Sequence, residues 1–330
     1  MNSSASAGVY KRVGGHSSPC TAEEGCLPMA SHQHVAKKGY GPFFVVLPLV
    51  LLFAGCDISA GHLMGRATEE WTHTYPLAPG GEVRIGNTNG KIEVEGVDGS
   101  TLEIHVEKIA RAATDTGASE LLPRIRVRED ATPDRVSVET ERMGGIMIGA
   151  GFEVRYRVRA PRTAVVNVTT TNGGIVLTSL GGKVVAHTTN GGVKAKALTG
   201  GIEARSTNGG VTVDFASLGS DRVSLRTTNG GVVLFVPESA KADVSASCTN
   251  GGITVAPGLK LDVSEQSRRR LEGRLNGGGT QIELRTTNGG VRIKPRADAA
   301  DVLTDDEPNA EPRIREKQMK PRDDRDHRDK

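Results

Sequence analysis

Residues 227–232 read "TTNGGV", and five other stretches repeat them almost letter for letter. These are "TTNGGI" from Thr170, "TTNGGV" from Thr188, "STNGGV" from Ser206, "CTNGGI" from Cys248 and "TTNGGV" from Thr286. The asparagines of the six copies are Asn172, Asn190, Asn208, Asn229, Asn250 and Asn288, at intervals of 18, 18, 21, 21 and 38 residues. A short period of this kind marks a solenoid, in which each repeat is too small to bury its apolar face alone.

Stepping away from each asparagine two residues at a time gives columns. Two before it stand Thr170, Thr188, Ser206, Thr227, Cys248 and Thr286; four before it, Val168, Ala186, Ala204, Leu225, Ala246 and Leu284. Three after it stand Ile175, Val193, Val211, Val232, Ile253 and Val291. The residues between are mostly charged, among them Lys194, Glu203, Arg205, Arg226 and Arg292. Alternation at period two puts the apolar columns on one face of β-strands.

Asn-Gly-Gly supplies residues that tolerate the torsions of a sharp corner. An Asn-Gly turn also suits an antiparallel hairpin, but a hairpin does not require identical residues at identical offsets in six copies. Parallel stacking does, because each residue then lies about 4.8 Å from its own equivalent. Inward-turned asparagines would form a hydrogen-bonded ladder along the stack. The 38-residue interval fits one coil plus an excursion loop, "GLKLDVSEQSRRRLEGRLNGGG". Asn276 lies in that loop and is not counted as a rung, because Arg274 would fall at an inward position.

The composition agrees. Aromatic residues make up 3% of the 330-residue chain and glycines number 42, which suits a thin core with many tight turns. The formal net charge of +3 carries no strong field toward nucleic acid. Ahead of the repeats, "EVRIGNTNGKIEVEG", "TLEIHVEKI", "RVSVETE" and "EVRYRVRAP" alternate like half-buried strands, and "ATDTGASELL" would be a short helix or a loop. The expected fold is all-β: a mixed-β N-terminal region over 71–160, a β-solenoid of about six rungs over 161–296, and a disordered charged tail over 297–330.

The N-terminal stretch carries a targeting signal. Lys37 and Lys38 precede an apolar run from Phe43 to Ala54, then Gly55 and Cys56. The run is too short to span a membrane and reads as a signal-peptide core over 29–55. Small residues ahead of Cys56 resemble a bacterial lipoprotein cleavage box, which would make Cys56 the lipidated end of the mature chain, with a tether over 56–70. Residues 1–28 then read as a misassigned upstream start. Cys248 would be the one other cysteine of the mature chain, too few for a disulfide framework.

The "TNGG(V/I)" rungs, the preceding "YRVRAP" strand and the lipoprotein signal together resemble the bacterial putative-adhesin, β-strand-repeat family of unknown function, over about residues 81–295. That resemblance implies a β-solenoid exposed in the cell envelope. It implies no catalytic or ligand residues.

For chemistry the columns offer little. Outward positions of successive rungs align no two carboxylates, so no enzyme is expected; a sugar-cleaving β-helix enzyme is the least favoured reading. No histidine has metal-ligand spacing and no cofactor is implied. One residue before each asparagine stands a threonine (Thr171, Thr189, Thr207, Thr228, Thr249, Thr287), but the next outward column is mixed, which spoils a flat ice-binding plane. Arg268, Arg269 and Arg270 in the excursion loop are the candidate contact for anionic groups. The expectation is a non-catalytic, lipid-anchored envelope module for binding or scaffolding, with the membrane and a surface polysaccharide or another envelope protein as partners and no nucleic acid. An envelope-stress or regulatory partner protein is the alternative.

Overall fold

The computed structural model describes residues 65–141 and 149–296. The upstream stretch, the signal peptide, Cys56 and the charged tail lie outside the described residues.

In chain order, β1 (Gly65–Pro76) is followed by β2 (Glu82–Asn89) and β3 (Ile92–Val97). Next come β4 (Thr101–Ala112), helix α1 (Asp115–Leu121), β5 (Val127–Thr132), β6 (Arg135–Thr140) and β7 (Ala150–Pro161). Four regular coils follow: β8 (Val165–Asn172) with β9 (Ile175–Thr178), β10 (Val184–Asn190) with β11 (Val193–Leu198), β12 (Ile202–Asn208) with β13 (Val211–Phe215), and β14 (Val223–Asn229) with β15 (Val232–Val236). The described residues end in β16 (Ala242–Asn250) with β17 (Ile253–Val255), a hairpin of β18 (Leu261–Gln266) and β19 (Arg270–Leu275), and β20 (Thr280–Asn288) with β21 (Val291–Pro295).

Each coil crosses from one sheet to the other at its Asn-Gly corner. The first strands form sheet 1, ordered β18-β19-β16-β20-β14-β12-β10-β8-β2-β6-β5; the second strands form sheet 2, ordered β1-β4-β7-β3-β9-β11-β13-β15-β21-β17. Every coil-to-coil pairing is parallel. Val184 lies opposite Ile202, Ala186 opposite Ala204 and Asn190 opposite Asn208, and the same holds along both sheets. The inward columns fill the space between the sheets, with Val166, Val168, Leu225, Leu284, Val193 and Val211 all excluded from solvent. Burying each such side chain contributes roughly 1.5–3 kcal/mol. Thin layers of Val, Ile, Leu and Ala suffice because the two sheets need few aromatics between them.

Four features depart from the expectation. The coil β2–β3 is a further rung, stacked on β8–β9 through Asn89 and Asn172, so the solenoid has seven coils among the described residues. Strand β1 begins at Gly65, inside the stretch read as a tether. The excursion loop is the antiparallel hairpin β18–β19, which extends sheet 1 beyond β16. Finally, the last coil does not stack last: β20 lies between β14 and β16, and β21 between β15 and β17. Spacing could not reveal that order, since a parallel rung presents the same inward column to either neighbour.

The corner explains the motif. A Cβ on the first glycine would come within 2.1 Å of the preceding coil's carbonyl oxygen at both Gly191 and Gly209, and within 2.0 Å at Gly289. The second glycine is less confined: at Gly210 the nearest atom is 3.4 Å away. Close backbone approach between stacked corners therefore demands the first glycine. The inward hydroxyl column bonds the same carbonyls: Thr188 Oγ1 donates to the Gly173 carbonyl (2.9 Å), Ser206 Oγ to Gly191 (2.8 Å), Thr227 Oγ1 to Gly209 (2.7 Å) and Thr286 Oγ1 to Gly230 (2.8 Å). Thr170 lacks this bond because Asn87 Nδ2 takes the Gly90 carbonyl (3.2 Å) and also donates to the Val154 carbonyl (2.7 Å). Asn87 Oδ1 accepts from Thr140, whose hydroxyl meets the buried Tyr156 hydroxyl at 2.7 Å. Burial pushes the Tyr156 phenol up from its ordinary pKa.

Replacing Gly209 by Ala is expected to cost about 1–3 kcal/mol, because the new methyl must displace backbone. Gly210→Ala is expected to cost less than about 1 kcal/mol. Chemical denaturation of the two variants checks the contrast, and equal losses would contradict the corner geometry.

Candidate functional site

The six asparagines form one ladder, and Asn89 extends it to a seventh member. Asn172 Nδ2 donates to Asn89 Oδ1 (2.6 Å), Asn190 to Asn172 (2.7 Å), Asn208 to Asn190 (2.8 Å), Asn229 to Asn208 (2.8 Å), Asn288 to Asn229 (2.7 Å) and Asn250 to Asn288 (2.8 Å). The ladder runs along the outside of the corner. Thr189 and Asn190 are both exposed, because the chain has begun to turn before it reaches the asparagine. The inward orientation on which the ladder was first argued is thus corrected, while the bonds themselves exist.

Behind the ladder, the outer face of sheet 1 carries two parallel columns. The first holds Thr88, Thr171, Thr189, Thr207, Thr228, Thr287 and Thr249, in that spatial order. The second, two residues back, runs Thr169, His187, Arg205, Arg226, Arg285 and Ser247. Neither column contains a carboxylate. Thr189, Thr207, Thr228 and Thr287 of the first column, and the second column from Thr169 to Arg285, line a shallow groove of about 450 Å³. A third column holds the counter-charges: Glu203 meets Arg205 at 2.6 Å, and Glu283 takes Arg226 Nη2 on both oxygens at 2.7 and 2.8 Å. The hydrogen bond from Arg226 holds the Glu283 carboxyl below the usual carboxylate range. Arg226 Nε and His187 Nε2 are buried atoms without a hydrogen-bond partner, the latter 3.6 Å from Glu203.

The outer face of sheet 2 differs. Phe235 occupies an outward position yet is fully buried. Lys294 Nζ stands 5.8 Å from its ring centroid, and Arg296 reaches across β15 to Asp214 Oδ1 at 3.1 Å. That part of the face is closed over by its own side chains.

Two further clusters occur. The hairpin brings Glu272 beside Ser245, and Ser245 beside Glu283, so two carboxylates share a row across two strand spacings. The hairpin, which is not a rung and is invisible as such in the sequence, creates this pair. A groove of about 460 Å³ lies there, but Glu272 is held by Arg270 at 2.8 Å and Glu283 by Arg222 and Arg226. At the other end, Trp71, His73 and Tyr75 alternate along edge strand β1 and converge on Glu129 of β5, the edge of sheet 1. Trp71 Nε1 donates at 3.1 Å and His73 Nδ1 at 2.8 Å, and the Tyr75 hydroxyl donates as well. Burial pushes the Glu129 carboxyl up, but the bonds from Tyr75, His73 and Trp71 outweigh it and hold the carboxyl low. This cluster ties the two sheets together at their N-terminal edge.

Of the expected site residues, Cys56 lies outside the described residues. Arg268 and Arg269 form the hairpin turn, and their carbonyls accept from Ile253 and Cys248 amides at 3.2 and 2.9 Å. Arg270 is engaged by Glu265 and Glu272. The candidate anionic contact is therefore partly neutralised. The Arg205–Arg226–Arg285 column is a second cluster of the same size, and stacking order creates it: Arg285 joins its neighbours only because β20 is inserted beside β14. Cys248 sits buried in the hydroxyl column, its sulfur 3.9 Å from the Arg268 carbonyl.

Asn208→Ala removes two ladder bonds at an exposed position where water can replace them, so a loss of about 1 kcal/mol is expected. Asn250→Ala, which removes one bond, should cost about half of that by denaturation. For Glu129, the lowered folded-state pKa means that its stabilisation is present above the ordinary carboxylate range and is lost as pH falls through the folded value. Glu129→Gln should therefore lower stability at pH 7 by about 1 kcal/mol and make little difference at the acid end of the profile. A constant difference at all pH values would contradict the carboxylate's role.

A family model, Toastrack DUF4097, matches residues 123–294. No curated protein sequence matches the chain. Among solved structures, a putative cell adhesion protein from Clostridium sporogenes ATCC 15579 is similar at 10% identity, covering 69% of this chain and 100% of that one, with a TM-score of 0.36. A putative adhesin from Bacteroides fragilis NCTC 9343 is similar at 9% identity over 69% of this chain and 97% of that one, with a TM-score of 0.30. The family match spans the strands from β5 to β21 and takes in all six copies of the "TNGG" corner, and the chain belongs to the Toastrack DUF4097 family.

Proposed function

We propose that the chain is a non-catalytic, adhesin-like binding module of the cell envelope, held to a membrane through lipidated Cys56, with the outer face of sheet 1 as its binding surface. One observation carries this reading. Two uninterrupted columns of hydrogen-bond donors run side by side along the stack, with their order set by backbone register and with Arg205 and Arg226 braced by neighbouring carboxylates. Repeat proteins use such extended regular surfaces for recognition.

The geometry weighs against glycoside cleavage at the Glu272–Glu283 row. Such an enzyme needs one carboxyl free to act as general acid, whereas Glu272 is bound by Arg270 and Glu283 by Arg222 and Arg226. On this face the carboxylates serve to orient arginines.

Placing a bulky indole on the threonine column tests the surface. Thr207→Trp should retain the parent melting temperature and lose the glycans that the parent chain retains on a glycan array. Unchanged capture would move binding elsewhere. Separately, Cys56→Ser should shift the protein from the membrane to the soluble fraction, and unaltered fractionation would refute lipid anchoring.

A further inference from the structure

We infer that the sheet 1 face takes a linear acidic polysaccharide, lying along the stack with its carboxylates on Arg205, Arg226 and Arg285 and its hydroxyls on the threonine column. This inference rests on the reading of that face as the binding surface and adds the ligand's chemistry.

Charge complementarity is the first argument. β12, β14 and β20 are adjacent, so Arg205, Arg226 and Arg285 stand opposite one another on strands spaced about 4.8 Å apart. The Arg285 side chain has no hydrogen bond or ion pair among the described residues, whereas Arg205 and Arg226 are each held by a glutamate. A guanidinium presents its donors in a planar fork that matches a carboxylate. Glu203 and Glu283 lie one column back, where they hold Arg205 and Arg226 by one side and leave the groove side free of acceptors. An anion entering the groove would meet only arginine, histidine and hydroxyl groups.

Shape is the second argument. The groove crosses the strands at matching positions, since the register advances without offset from coil to coil. Rung spacing is close to the length of one sugar ring in an extended chain, so each ring can face one coil. A threonine both donates and accepts, as a sugar hydroxyl does, and its methyl offers a small apolar contact to a ring face. These columns contain no large apolar side chain to anchor in a lipid bilayer.

The test uses the full chain and polygalacturonate, with its methyl-esterified form as the uncharged counterpart of the same backbone. Polygalacturonate should bind, weaken as salt is raised, and bind at least tenfold more weakly to the Arg205→Gln/Arg285→Gln double variant. Arg285→Gln alone, which breaks no contact in the fold, should weaken binding several-fold with unchanged melting. No binding of polygalacturonate, or binding indifferent to these substitutions, overturns the inference. Equal binding of the esterified polymer, abolished by Thr207→Trp, overturns the acidic ligand while leaving the surface in place. Equally tight binding of duplex DNA or of anionic phospholipid vesicles overturns the polysaccharide assignment, since charge alone would then account for it. Binding of every probe unaffected by Thr207→Trp removes the surface itself.

Discussion

The close stacking of one Asn-Gly corner on the next is the constraint from which the rest of the structure follows. Corner backbones approach so tightly that a single methyl on Gly191 or Gly209 has no room. That contact locks each coil into register with its neighbours, and register lets the inward hydroxyls reach the glycine carbonyls and the asparagines reach each other. None of these bonds is strong alone, at about 0.5–1 kcal/mol each. Repetition along the stack makes them collectively specific, because a slip of one residue would break them all and turn every inward side chain outward.

Register also shapes the surface. When each residue lies on its own equivalent, an outward position becomes a column, and chemistry that is weak at one site is multiplied along the stack. The two outer faces use this differently. Near its C-terminal end, sheet 2 folds Lys294 and Arg296 over Phe235 and Asp214 and so closes itself. Sheet 1 keeps threonine and arginine columns open along a groove. Glu203 and Glu283 stand behind the column and pair with Arg205 and Arg226, while the Arg285 side chain has no such partner among the described residues.

A solenoid must also finish its ends, because an unpaired strand edge invites further strands. At the N-terminal end the long strands β4 and β7 extend sheet 2, and aromatic side chains of β1 bridge to Glu129 of β5 in sheet 1. At the other end the antiparallel hairpin β18–β19 covers β16 and carries the arginine-rich turn. The coil β20–β21 then inserts behind it, so the chain's last strands lie in the interior of both sheets.

The period of the "TNGG" copies was enough to establish parallel stacking, the inward columns, the outward threonines and the all-β class, because side-chain alternation and corner chemistry are local properties of the chain. The coil at Asn89 escaped notice for a local reason as well: Lys91 stands where the other copies have a second glycine, and the structure shows that only the first glycine is confined. What the linear order could not contain was which coil lies beside which. Equivalent rungs are interchangeable by pattern, so the insertion of β20 next to β14, the hairpin beside β16 and the asparagines' outward turn came only with tertiary packing. That packing alone makes Arg205, Arg226 and Arg285 neighbours, because chain distance and stacking distance part company wherever a later strand enters an earlier gap.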